Sequence, residues 1–159
     1  MNDTINDLLA EYAKAPQKLR YLIAELTPIE LSFKPSEREW SVKEIVIHLA
    51  DSETNAFLRY RTIISEPNRE TFVVDEWKWS QELKYQEQEI EEYLNLFESL
   101  RLITSNQLKI VTEQDWNKSV VHRSLGEISL TGWLELYVRH FEQHIKQIER
   151  TLENHANKR

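Results

Sequence analysis

The sequence contains no cysteine, which excludes a disulfide scaffold, a thiolate zinc site and a cysteine nucleophile. Only two glycines and four prolines are spread over its 159 residues, too few for the many turns of an all-β chain. Basic residues are in the minority: 20 Lys and Arg against 27 Asp and Glu give a formal charge of −7. That balance argues against a protein built mainly to hold a nucleic-acid backbone. No apolar run approaches the roughly twenty residues of a membrane span, and none has signal-peptide form. The expectation is one soluble, cytoplasmic domain over 1–153 with a short fraying tail at 154–159. Its partner is then a small molecule, with no role for nucleic acid or membrane. A chain of this length buries enough apolar surface to fold unaided.

What the sequence does have is helical period. Ile5, Leu8, Leu9, Tyr12, Leu19, Leu22, Ile23 and Leu26 recur at three-and-four spacing and predict a helix over 4–26, with a kink at Pro16. Thr27-Pro28-Ile29-Glu30 reads as a cap, an N1 proline and a capping-box acid opening one short turn. A second capping box, Ser41-Val42-Lys43-Glu44, starts a long helix that ends at Pro67-Asn68. Residues 68–85, with Trp77 and Trp79, read as an irregular or briefly helical connection. A third helix is predicted over 86–108. Residues 120–129 form a short hairpin or extended loop turning at Gly126, and a last helix runs from 129–131 to Glu153. Four amphipathic helices with unequal connections predict an all-α four-helix bundle, with that short extended or hairpin segment before the last helix.

Three of the five histidines occupy informative positions. His140 and His144 are four apart, so their rings stack one turn apart on one helix face, a spacing at which two imidazoles grip one metal ion. On a helical wheel centred on Phe141, His144 lies roughly 60° and His140 roughly 100° to the same side. His48 lies roughly 100° from Leu49, on the corresponding flank of the second helix. If those helices are neighbours, the three rings meet at the mouth of the bundle. Three neutral nitrogen donors leave coordination positions open, the pattern of a catalytic zinc-like site. The same positions also suit ordinary half-buried histidines beside a core, and the pattern alone leaves both readings open.

Trp40-Ser41-Val42-Lys43-Glu44-Ile45 followed by His48-Leu49-Ala50-Asp51-Ser52-Glu53 resembles the start of the second helix in the DinB/YfiT-like superfamily. Trp79 with Tyr85, the segment from Phe97 to Arg101, His122, Gly126 and the run from Trp133 to Ile148 resemble its later sections, so the likeness spans about residues 4–152. The resemblance implies an up-down-down-up four-helix bundle with a divalent ion, zinc or nickel, held by His48, His140 and His144. It implies that homodimers are common. Activities in the superfamily include transfer of bacillithiol or a related low-molecular-weight thiol and a mycothiol-dependent isomerisation, while many members carry only the general description of metal-dependent hydrolase. A Lewis-acidic ion with neutral ligands lowers the pKa of a bound water or thiol, so thiol transfer to an electrophile and hydrolysis both suit such a site. With no cysteine in the chain, any thiol comes from outside as a cosubstrate. The competing reading is a non-enzymatic, dimeric metal-binding stress-response protein.

Further candidates follow from spacing. Glu44, Asp51 and Ser52 lie one turn from His48 and are candidates to orient an imidazole, although Glu44 already serves the capping box. Trp133 and Tyr137 share the flank of the His140–His144 pair and are candidates to line a substrate mouth. Arg59, two to three turns after His48, is a candidate for holding an anionic substrate. His122 reads as a surface-loop residue and His155 as solvent-exposed in the tail. The acidic stretch 87–92 reads as a solvated helix start.

Overall fold

The computed structural model describes residues 3–158. Helix α1 (Asp3–Ile23) buries Leu9, Tyr12, Leu19 and Ile23 and runs on through Pro16. It stops before the expected Leu26, because Thr27 must be extended ahead of Pro28 and begins a new cap at φ −70°, ψ 159°. The Thr27 side chain accepts from the Glu30 N–H and the Glu30 carboxylate accepts from the Thr27 N–H, opening α2 (Pro28–Ser32). The same reciprocal box between Ser41 and Glu44 opens α3 (Val42–Ser65). More than half of α3 is buried, including polar residues such as His48, Glu53 and Arg59, so it is the central helix.

The 68–85 connection is more ordered than its sequence suggests. It holds a two-residue strand, β1 (Glu70–Thr71), and α4 (Glu76–Glu82), capped by Asp75 accepting from the Lys78 N–H. A 3-10 turn over Tyr85–Glu87 follows Lys84, which sits at φ 52°, so the third long helix, α5 (Ile90–Leu108), begins four residues later than its periodicity predicts. After a second 3-10 turn at Asp115–Asn117 comes the expected hairpin, β2 (Ser119–His122) and β3 (Gly126–Ser129), with Gly126 at φ 76°, a conformation a Cβ disfavours. β1 adds to it in parallel, Glu70 opposite Val121 and Thr71 opposite His122, making a three-stranded sheet.

The last helix, α6 (Leu130–Asn157), is capped by Ser129 accepting from the Gly132 N–H. It continues past Glu153, so 154–157 is not a frayed tail. His155 packs its ring 4.8 Å from that of Phe33 and is half-buried, and Lys158 donates to the Pro35 carbonyl. These contacts fasten the final turn. Among the described residues no helix is long and apolar enough to cross a membrane.

Helices α1, α5, α3 and α6 form a four-helix bundle in that order around the ring, so α1 and α3 lie on one diagonal and α5 and α6 on the other. The core has two apolar halves, one around Leu19, Ile45, Phe97 and Phe141, the other around Tyr60, Leu108, Trp133 and Leu134. A buried ion pair joins them. The Arg101 Nε donates to Glu53 at 2.7 Å, both side chains are 1% exposed, and Tyr12 donates its hydroxyl to the other Glu53 oxygen. The remaining guanidinium nitrogens donate to the backbone carbonyls of Tyr12 and Tyr137, so one cation reaches all four long helices.

Candidate metal centre

The neighbouring helices α3 and α6 bring the three predicted imidazoles together. The Nε2 of His140 lies 3.4 Å from the Nε2 of His48 and 3.1 Å from that of His144, and one ring nitrogen from each lies within 4.8 Å of the others. Zinc-to-imidazole bonds of about 2.0–2.1 Å in a tetrahedron place neighbouring nitrogens about 3.3 Å apart. The observed separations fit that size. Among the described residues this is the one group of three or more such side chains with metal-ligand spacing.

Electrostatics keep the donors neutral. Burial, then the neighbouring His144 and His140, holds the His48 imidazole well below its ordinary range. Burial, then His144, then the Arg101 charge, brings His140 down to about 3. Burial also lowers His144, against the hydrogen bond to Gln147. In that bond, 2.8 Å long, the His144 Nδ1–H donates to the Gln147 side-chain oxygen and leaves the Nε2 lone pair facing the other two rings. Trp40 walls the site, its ring 4.6 Å from His48 and 6.1 Å from His144, and is itself held by donating Nε1–H to Ser80 in α4.

The candidates for orienting His48 do other work. Glu44 spends its oxygens on the Ser41 cap, Lys34 and Gln86; Asp51 accepts from the Tyr85 hydroxyl; the Ser52 carbonyl accepts from Tyr137. On a central helix, positions one turn from His48 face other neighbours. Sequence reasoning missed two residues beside the cluster. Gln147 is one, and its position three after His144 on one helix face was the available signal. Glu76 is the other, its carboxylate oxygen 3.9 Å from His48 Nε2. Burial raises its pKa, partly offset by the Arg59 charge. No pattern near Glu76 announces it, since α4 and the sheet position it.

Trp133, Tyr137 and Arg59 do line one cavity, of about 210 Å³, with His140, Glu76 and His122. His122 is not a surface residue. It is 8% exposed at the end of β2, its Nδ1 accepts from the backbone N–H of Ser124 and Leu125, and burial followed by the Arg59 charge lowers its pKa. A wider cavity of about 480 Å³ is bounded by Trp40, Trp77, Gln147 and Arg150. Val74 and Glu76 belong to both linings.

Replacing Gln147 by Leu removes the acceptor that fixes the His144 tautomer and is expected to weaken metal affinity roughly 10–100-fold. Competition with a chromogenic chelator measures it; unchanged affinity would show that Gln147 does not orient the ring.

A family model described as the DinB superfamily matches residues 11–148. A protein of Oceanobacillus iheyensis named "putative metal-dependent hydrolase" is 28% identical over 147 residues, 92% of this chain and 85% of that one. The "putative metal-dependent hydrolase YfiT" of Bacillus subtilis is 28% identical over 136 residues, 85% of this chain and 76% of the relative. The solved structure of Bacillus subtilis YfiT, described as an unusual four-helix bundle topology, superposes with a TM-score of 0.91 at 23% identity, covering 98% of this chain and 90% of that one. A mycothiol-dependent maleylpyruvate isomerase shares the fold more distantly, with a TM-score of 0.71 at 13% identity over 90% of this chain and 60% of that one.

Proposed function

The chain belongs to the DinB superfamily, and from that premise we propose that it is a metal-dependent enzyme transferring an external low-molecular-weight thiol to an electrophilic small molecule. His48, His140 and His144 hold the ion. The observation that supports the reading is that two cavities flank the three imidazoles and share Val74 and Glu76 in their walls, the inner one lined by His140 and the wider one by Gln147, the partner of His144.

When bound, a divalent ion supplies Lewis acidity that favours the deprotonated form of the nucleophile. The protein does the rest. Glu76, with its raised pKa and its place 3.9 Å from His48, takes the proton from the incoming nucleophile. Gln147 orients His144, and Trp40 shields the rings from water. The inner cavity positions the acceptor. Hydrolysis is the second reading, favoured by the same Glu76 carboxylate, which serves equally well as a base for water, and by the names of the relatives. The homodimer proposed with it rests on the family resemblance.

The test combines metal content with turnover of monochlorobimane, using bacillithiol, mycothiol and glutathione in turn, before and after chelation. Thiol-dependent turnover that disappears with the metal, and returns when zinc or nickel is restored, is expected. A stoichiometric ion with no thiol turnover but ester or amide cleavage favours hydrolysis. A stoichiometric ion with neither activity favours a metal-binding protein without catalysis.

A further inference from the structure

Most of the inner cavity's wall is apolar, and a few hydrogen-bond donors are set into it. Arg59 is 7% exposed, yet among the described residues it meets no carboxylate within ion-pair distance: Nη2 donates to the Phe72 carbonyl at 2.7 Å, Nη1 faces the Tyr137 hydroxyl at 3.4 Å, and Nε–H is buried without an acceptor. Trp133 is 1% exposed, and its Nε1–H is also buried without an acceptor. Because the Nδ1 of His122 accepts two backbone N–H groups, neutral His122 carries its proton on Nε2 and is a third donor on the same lining. Buried cations are normally paired, and a buried donor left without an acceptor forfeits its hydration for nothing.

The guanidinium is also held in place. Its central carbon lies 5.1 Å from the Trp133 ring centroid and 5.2 Å from that of Phe72, and its planar fork matches a carboxylate in shape. Glu76 is the one acidic side chain on this lining. It is 47% exposed, so solvent screens its repulsion of an anion. His140 lines the same cavity, so a molecule anchored at Arg59 extends toward the imidazole cluster.

We infer that this cavity is a carboxylate subsite: the substrate bears a carboxylate that pairs with Arg59 and accepts from Trp133 Nε1–H and His122 Nε2–H. At about 210 Å³ the cavity is smaller than the roughly 300–1,000 Å³ of drug-sized sites, so it takes a small organic acid or the carboxylate arm of a larger molecule. That this ligand is the substrate rests on the reading of the triad as the reactive centre; that the cavity binds the anion does not.

The experiment titrates the full-length protein, as purified and after chelation, with acetate and benzoate, and with the neutral acetamide and benzamide. At least one acid is expected to bind both forms roughly tenfold or more tighter than its amide. Arg59→Met is expected to abolish that preference. Trp133→Phe, which keeps the guanidinium, is expected to weaken acid binding several-fold and leave amide binding unchanged. Circular dichroism establishes that each variant is folded, and Trp133→Phe decides the matter if Arg59→Met is not. Amides binding as well as acids, no binding of either acid, or acid binding indifferent to the variants overturns the subsite. So does acid binding confined to the metal-containing form and insensitive to Arg59, which places the anion on the ion. Failure of the metal-site reading appears separately, as missing metal with the acid preference intact.

Discussion

Arg101→Ala lowers stability by about 3–5 kcal/mol, the expected penalty for leaving a carboxylate unpaired in a dry core. Glu53 is 1% exposed, and its oxygens are taken by the Arg101 guanidinium and the Tyr12 hydroxyl. Removing the cation leaves that charge with one neutral donor and also frees the Tyr12 and Tyr137 carbonyls. At about 2–4 °C per kcal/mol for a chain of this size, the melting temperature falls by roughly 6–20 °C. The combination of Arg101→Met with Glu53→Leu recovers most of the loss, because a well-packed apolar pair costs no desolvation. Thermal unfolding of Arg101→Met, of Glu53→Leu and of the two combined provides the cycle, beside Arg101→Ala. A single-variant loss below roughly 1 kcal/mol, as for exposed pairs, refutes the account.

His140→Ala is expected to lose the metal. Its Nε2 is the nitrogen in contact with both other rings, so no two-ligand remnant keeps the geometry. The loss of affinity exceeds the roughly 10–100-fold expected where only an outer hydrogen-bond partner is removed, and the metal-dependent activity goes with it. Elemental analysis of purified wild type and variant is the measurement. About one divalent ion per wild-type chain and almost none in the variant is the expected pair of results. A variant that keeps a stoichiometric ion, or a wild type that never carries one, leaves the three rings as core packing.

The parts of this architecture legible in the sequence are those encoded locally. Both capping boxes stand where Thr27–Glu30 and Ser41–Glu44 put them, because a cap needs only residues three apart. The convergence of His48 with His140 and His144 follows from their side of two amphipathic stripes once α3 and α6 are neighbours. Arg59, Trp133 and Tyr137 do share a cavity, as their flanks predict. The illegible parts are set by tertiary placement. A two-residue strand such as β1 is too short to show a period, so nothing in Glu70-Thr71 predicts its pairing with β2. No local pattern pairs Glu53 with Arg101; the ring of helices brings them together and buries both. Asp51 and Ser52 have suitable spacing but the wrong neighbours, while Glu76 arrives from a segment with no periodic signal.

The parallel pairing of β1 with β2 joins chain segments about fifty residues apart, and the segment from β1 leads directly into the short helix carrying Glu76 and Trp77. Val120 of β2 is buried in the same core half as Tyr60 and Trp133, so the sheet is anchored in the bundle it lies against. Nascent chain must also emerge as far as β2 before β1 has anything to pair with. The imidazoles therefore stand on two long helices of the bundle, whereas the carboxylate beside them is placed by a segment whose course depends on a strand pairing across about fifty residues.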